Sequence, residues 1–448
     1  MALLWVLSNG SAPEARAQEA GFTTEGLASW WDGHHVDLPR PPLITHAEVD
    51  TRLQRVAASD PGFFTLATLG ASNEGRAIRH LAFGRGPFHV LMWSQMHGDE
   101  PTATRALFDL IAFFHMRRDE PAVARMLDAL TIHMVPMLNP DGAERFQRRN
   151  LQGIDINRDA LMLQTPEGRL LKDLRDQLNP RLGFNLHNQG WRTSVAGTGQ
   201  PASISLLAVS FDEARSDNPG RLLAKKVAGV MRDSIEPLAA GRIGKYDDEF
   251  EPRAFGDNIT KWGTPVVLVE TGPWPGPDHD THLVRLNFVL LVSALDALAT
   301  GRAEAASPDR YESLPFNGSS VLYQLIRRAT VVMGNGVAPF RADIGITGTR
   351  TVRPVEGQRT IVIVKRIDEW GDLSTFGGLE EIDGSDLWAT PIWSPALKIG
   401  DVVTLPDFAS RTAATIGPAQ PANLVLLKPV GNDRFRVDRL IMAEEIVR

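Results

Sequence analysis

The sequence predicts an α/β protein with a mixed, largely parallel central sheet flanked by helices, followed by a smaller β-rich C-terminal domain. Three observations carry this. Between residues 45 and 300, apolar runs of strand length alternate with segments of helical spacing. Several runs, among them 88–95, 131–138 and 264–269, are apolar at successive positions, as strands buried on both faces are. After about residue 303 the helical segments give way to short β-prone runs separated by Gly and Pro.

The elements follow in order. Residues 45–58 place Val49, Leu53 and Val56 at helical spacing. Two strands, 64–69 and 77–83, are joined by Gly70-Ala-Ser-Asn-Glu-Gly75, where Gly75 supplies a positive φ. The strand 88–95 runs into His97. Pro101 suits the first turn of a helix that continues over 103–114, and a second helix covers 122–129. The strand 131–138 ends in Asn139-Pro-Asp-Gly142, read as a turn. A short strand over 181–186 delivers His187. A strand at 203–209, a helix at 219–234, a strand at 264–269 ending at Glu270, and a helix at 279–298 complete this part. Beyond it, helical periodicity is expected over 320–328. Strands are expected at 360–364, 402–405, 424–427 and 435–441.

Composition narrows the chemistry. The 448 residues suffice for two or three domains. A net charge of -7, with no concentrated Lys/Arg stripe, argues against a nucleic-acid surface. Cysteine is absent, so thiolate ligands, disulfides and Cys nucleophiles are excluded; any transition-metal site must use His and carboxylates, and only 11 His are available. No apolar run reaches the roughly 18 residues of a membrane span, so no transmembrane segment is expected. At the N-terminus, Ala2-Leu-Leu-Trp-Val-Leu7 and the Ala-x-Ala pattern at Ala15-Arg16-Ala17 suggest export, although the apolar stretch is short and a basic lead is missing. The expected organisation is a leader or tail over 1–22, a catalytic domain over 23–304 and the β-rich domain over 305–448. The expected location is periplasmic or secreted, the alternative being a cytoplasmic protein with a disordered tail.

The chemistry gathers where strands end. His97 and Glu100 are three apart with Gly98 between them, so imidazole and carboxylate can face one point. A divalent metal such as zinc takes this pair with one more protein ligand and leaves a position for water. His187 is the best third ligand, since His80, His89, His115 and His133 lie inside strands or helices. His97, Asn139, His187 and Glu270 each follow an apolar strand, where open α/β sheets bind ligands. The loop from Arg148 to Arg158 carries Arg and Asn side chains and Asp155. It suits a carboxylate substrate and a developing oxyanion, or else a surface salt-bridge loop.

Taken together, His97-x-x-Glu100, Asn139-Pro-Asp-Gly142, Arg148-x-Asn150-x-x-Gly153-Ile-Asp155-Ile-Asn157-Arg158, His187 and Glu270 resemble the zinc metallocarboxypeptidase family. Gly70-x-Ser72-x-Glu74-Gly75-Arg76 is similar to that family's strand-turn-strand lead-in. The resemblance runs from about residue 45 to 300. It implies one Zn2+ held by His97, Glu100 and His187, with Asp155 orienting His97. It implies that Glu270 is the general base for a zinc-bound water and that Arg148 stabilises the oxyanion. Asn157 and Arg158 would grip the free carboxylate of the substrate. Digestive members commonly carry Arg where this chain has Asp99, so Asp99 is expected to alter substrate preference. The family's mobile Tyr has its nearest counterpart in Tyr246, among Asp247, Asp248 and Glu249; the alternatives, Tyr311 and Tyr323, both lie beyond the expected catalytic domain.

The expected activity is hydrolysis of a C-terminal peptide bond. A related zinc amidase or deacylase, acting on N-acyl amino acids or on murein γ-glutamyl-diamino acid peptides, is the alternative. A non-catalytic peptide-binding member of the fold is a third reading. In each the partner is a peptide or acyl-amino acid with a free carboxylate.

Overall fold

The structure, a computed structural model, describes residues 21–37, 43–276, 279–333, 337–404 and 416–447. The expected leader lies outside them except for its last two residues.

Helices α1 (Thr24–His34) and α2 (His46–Ser59) lead into β1 (Thr65–Ala71), β2 (Ala77–Gly84) and β3 (Phe88–Ser94). Thr45 caps α2 reciprocally with Glu48, which fixes where that helix starts. Then come α3 (Thr102–Met116), α4 (Pro121–Ala129), β4 (Leu130–Val135), α5 (Pro140–Arg145) and α6 (Pro166–Leu178). They are followed by β5 (Leu182–Asn188), β6 (Ser194–Val195), β7 (Ile204–Ala208), α7 (Pro219–Ile235), β8 (Ile243–Lys245) and α8 (Phe255–Lys261). This part closes with β9 (Val266–Thr271), α9 (His279–Ala299), α10 (Arg302–Ala305) and α11 (Asp309–Glu312).

The first sheet has the order β1-β2-β4-β3-β5-β9-β7-β8. Its centre, β4-β3-β5-β9, is parallel throughout. The strands β2 and β7 join that centre antiparallel on either side. The central strands are buried on both faces, as their unbroken apolar runs require. By length and hydropathy α9 would pass for a membrane span, and 78% of its apolar window is buried against the rest of the protein. Tyr311 and Leu314 pack into this same core, and the Tyr311 hydroxyl accepts from the Ala208 amide at 3.2 Å.

Two elements differ from expectation. Asn139-Pro-Asp-Gly142 is the start of α5 rather than an open turn. The Asn139 side chain accepts from Gly142 N at 2.9 Å, and Pro140 takes the first helical position, where no amide is needed. The expected helix over 320–328 is a strand, β11 (Val321–Val331). Seven of its eleven residues are buried, and its pairing with β12 shifts register between Ile326 and Ala329, where Arg328 adopts φ 59°. A bulge in a strand buried on both faces breaks the two-residue alternation and leaves apolar spacing that mimics a helix.

After β10 (Asn317–Gly318), β11 belongs to a second, nine-stranded sheet. Its other members are β12 (Phe340–Val355), β13 (Gln358–Gly371), β14 (Gly377–Asp383), β15 (Trp388–Pro391), β16 (Val402–Thr404), β17 (Leu424–Gly431), β18 (Arg434–Ile441) and β19 (Glu444–Ile446). This sheet docks on the first half through polar contacts. Arg350 pairs with Asp280 at 2.9 Å, Arg192 with Asp368, and Arg359 with Glu144 at 3.4 Å. A Cβ at Gly377 would lie 1.9 Å from the Gly199 carbonyl oxygen, so backbone meets backbone there and glycine is required.

Candidate metal centre

The site forms at the carboxyl edge of the parallel strands. Past β3 the chain keeps pairing with the segment after β4: Leu138 N donates to Ser94 O at 3.1 Å and Asn139 N to Gln95 O at 2.9 Å. Gln95 sits at φ 45°, an unusual conformation for a non-glycine residue, and turns the chain into His97. Its side chain holds the turn, donating to Gly98 O at 3.1 Å and accepting from Thr104 at 2.8 Å. Asn139 donates to Met96 O at 3.2 Å. A Cβ on Gly98 would stand 2.0 Å from the Gly142 carbonyl carbon, so the ligand turn and α5 touch through backbone alone. Asp141, at the start of α5, accepts from Ser72 Oγ at 2.8 Å and Arg76 at 2.6 Å, which ties the strand-turn-strand lead-in to the same scaffold.

His97, Glu100 and His187 are buried, and a ligand atom from each lies within 4.8 Å of the other two. Among the described residues no other such group occurs. His97 Nδ1 is 2.8 Å from Glu100 Oε1, and His187 Nδ1 is 2.7 Å from Glu100 Oε2 and 3.1 Å from His97 Nδ1. The other ring nitrogen of His97 faces Asp155 Oδ1 at 3.2 Å. A carboxylate there fixes the proton on Nε2 and turns the Nδ1 lone pair inward. Two imidazole nitrogens and a carboxylate converging in a dry pocket are a zinc donor set, so the residues present fit that ion.

Charge coupling marks the same atoms. Burial works to lower the His97 pKa, but the Glu100 charge and the Asp155 hydrogen bond carry it up to about 9. Burial raises Glu100 and Asp155, yet the adjacent imidazoles and Arg148 hold both carboxyls well below the usual range. His187 is pushed down, by burial first. Glu270 follows from register: parallel pairing of β5 and β9 sets it directly beside His187. It is buried, its Oε2 has no hydrogen-bond partner among the described residues, and burial followed by the Glu100 charge raises its carboxyl well above the ordinary range.

Arg148 reaches in from the loop. Its Nε donates to Asp155 Oδ2 at 2.9 Å, and its Nη1 lies 3.2 Å from His97 Nδ1 and 3.6 Å from Glu100 Oε1. Asp155 also accepts from Asn157 N at 3.0 Å, which turns the chain into a single 3-10 turn over Ile156–Arg158. The Asn157 carbonyl oxygen is committed to Phe255 N at 2.9 Å, so Nδ2 is what it can offer a substrate. Arg158 Nε lies 3.3 Å from Glu251. Tyr246 follows β8 and is 36% exposed, with a phenol raised by burial and then by the Glu270 charge. Its acidic neighbour Asp248 is turned away, onto Arg215 at 2.9 Å and Arg221 at 3.3 Å. Asp99 lies beside Glu100 with Oδ1 buried and without a partner among the described residues; burial first, then Glu100, raises its carboxyl. All ten residues expected at the site from the sequence therefore lie in or around this centre.

Other side chains at the centre were not anticipated. A cavity of about 740 Å³ opens beside Glu100 and Arg148 and is lined by Trp191, just after β5, and by Tyr323 and Arg350 of the second sheet. Trp191 and Tyr323 stack at 5.0 Å. The only signal in the sequence is an aromatic four residues after His187.

A buried His₂–Glu set with a neighbouring carboxylate defines a metal-dependent hydrolase type of centre. Residues 49–187, which contain all three ligands, match the family model described as Zinc carboxypeptidase. Carboxypeptidase 2 of Trichophyton tonsurans is 29% identical over 157 residues, covering 34% of this chain and 27% of its own length. Carboxypeptidase E of Caenorhabditis elegans is 27% identical over 162 residues, covering 31% and 32%. The chain thus spans about a third or less of these curated relatives. A metallo-carboxypeptidase from Burkholderia cenocepacia superposes with a TM-score of 0.44 at 16% identity, over 55% of this chain and 67% of that one.

Proposed function

We propose that the protein is a zinc-dependent metallocarboxypeptidase that removes a residue from the free C-terminus of a peptide. The observation that carries this reading is the juxtaposition of a buried His97–Glu100–His187 donor set with the buried, unpartnered Glu270 carboxyl on the next strand. His97, Glu100 and His187 hold the ion, and Asp155 keeps His97 in the ligating tautomer. Zinc, when bound, supplies Lewis acidity toward water and the scissile carbonyl. Glu270 takes the proton of the attacking water and returns it to the leaving amine, a task suited to a carboxyl with a raised pKa. Arg148, anchored by Asp155, presents its guanidinium to the developing oxyanion. Arg158, Asn157 and Tyr246 would receive the substrate's carboxylate, and an Arg fork matches that group.

The test is hydrolysis of a C-terminal peptide panel by zinc-loaded protein, beside Glu270→Gln. Loss of the base is expected to lower kcat about 10²- to 10⁴-fold with zinc retained. Equal rates in the two proteins would refute the role. Cleavage confined to N-acyl amino acids or murein peptides would favour the amidase reading instead.

A further inference from the structure

The cavity beside the metal centre does not contain the residues proposed to receive the substrate carboxylate. Arg158, Asn157 and Tyr246 are all absent from its lining, as is the base Glu270, whereas Asp99, Glu100 and Arg148 belong to it. It therefore reaches the ligands along a face that those four residues do not line. A substrate whose scissile carbonyl sits at the metal would extend its amino-side portion into this space.

The far wall is built by the second sheet. Tyr323 on β11 and Gly348–Arg350 on β12 face Trp191 across the domain junction. Tyr323 lies flat on Trp191, with interplanar angle 15°. Its hydroxyl donates to Glu445 at 3.2 Å, and Arg350 sits 4.7 Å over the other ring while pairing with Asp280. A Cβ on Gly348 would come within 2.9 Å of the Tyr323 ring. The wall is held by interlocking contacts. The cations at the cavity are already matched, Arg350 by Asp280 and Arg148 by Asp155. Asp99 is the anion left over. Its Oδ1 is buried with no hydrogen-bond partner among the described residues, and its immediate neighbour Glu100 would be committed to the ion.

We propose that the C-terminal sheet is part of the substrate site, and that the cavity it closes takes an unblocked aminoacyl group whose free α-ammonium is received by Asp99. This deepens the carboxypeptidase reading and rests on it for the direction of the substrate. The chemistry favours it for a simple reason. The α-nitrogen is two bonds from the scissile carbonyl carbon, and Asp99 is one residue from a ligand of the ion that would hold that carbonyl. An ammonium donor to an unpaired, partly buried carboxylate gains a charge-assisted bond that an acetylated nitrogen cannot make. The aromatic wall supplies the apolar face such a short substrate needs.

The experiment measures binding and not turnover. Dipeptides and their N-acetylated twins, matched at the C-terminal residue, are titrated into the zinc-loaded, full-length Glu270→Gln protein by calorimetry. The free-amine member is expected to bind at least about tenfold more tightly, as a charged hydrogen bond implies. Asp99→Asn, nearly isosteric and checked for zinc content and melting temperature, should bring the ratio close to one. Tyr323→Ala should weaken both members about fivefold or more. Equal affinity of the twins, preference for the acetylated member, or no binding of either overturns the ammonium assignment. Unchanged affinity in Tyr323→Ala overturns the role of the sheet. Failure of the carboxypeptidase reading shows elsewhere, as zinc-loaded wild type that binds the dipeptides with this preference yet leaves them intact.

Discussion

Asp155→Asn separates an orienting carboxylate from a merely structural one. The Asp155 carboxylate serves three donors: His97 Nε2 at 3.2 Å and Asn157 N at 3.0 Å on one oxygen, and Arg148 Nε at 2.9 Å on the other. An amide keeps one acceptor, which can still serve His97 and the Asn157 turn. The charge is lost, and an NH₂ now faces Arg148. A hydrogen bond to a charged group contributes about 1.5–3 kcal/mol. Loss of such a partner to a ligating His costs roughly 10- to 100-fold in metal affinity. The pH dependence sharpens the test. With its pKa at about 9 in the metal-free protein, His97 binds a proton that must leave before Nδ1 can ligate. Wild-type zinc affinity should therefore rise about tenfold per pH unit up to that value. Asp155 is one of the groups raising that pKa, so Asn in its place lowers it and weakens proton competition. The loss of affinity should be larger at pH 8.5 than at pH 6.5. Chelator competition at both values measures it, and a zinc Kd within twofold of wild type at both would refute the reasoning.

Three further outcomes are expected. His187→Ala should lose stoichiometric zinc on dialysis, measured by atomic absorption; retention would remove His187 from the ligand set. Gly98→Ala must push the Gly142 backbone away from a 2.0 Å contact, so a cost of about 1–3 kcal/mol or more and a lower melting temperature are expected. An unchanged melting temperature and unchanged zinc affinity would mean that the turn and α5 can separate freely. His80, His133 and His89 form a ladder across β2, β4 and β3 with nitrogen contacts of 3.0 and 3.1 Å, and burial lowers His80 to about 4 and His133 to about 3. The folded pKa values of His80 and His133 lie below the unfolded value near 6.5, so the unfolded chain binds more protons in acid. Stability should be full above pH 6.5 and fall by about 1.4 kcal/mol per pH unit for each group as pH drops toward 4. Denaturant melts of His80→Phe should show a shallower fall, and an identical slope would remove His80 from the account.

What the sequence made legible depended on how local each signal was. His97, His187 and Glu270 could be found because a parallel sheet places its ligands just past the ends of unbroken apolar runs, and those runs are visible in one dimension. The beginning of α5 was misread because Asn139-Pro-Asp-Gly142 is equally good turn and helix-cap chemistry; only the packing of Gly142 against Gly98 decides between them. β11 was misread because its bulge near Arg328 counterfeits a helical period. The His ladder was invisible because each ring, taken singly, is an ordinary core histidine, and only the register of β2, β4 and β3 stacks them.

The cavity wall was out of reach for a different reason. Trp191 and Tyr323 belong to different sheets, and neither sits in a pattern that points to the other. Local patterning carries backbone placement, and it carried the placement of His97, His187 and Glu270 because these residues hang on neighbouring strand ends. The cavity wall lies instead where two separately patterned sheets meet. This is why Asp99 could be singled out from the sequence as a departure while the surface it faces could not. A buried carboxylate oxygen without a partner beside a ligand acquires a chemical meaning only once the same cavity is known to have an aromatic wall whose arginine is already paired.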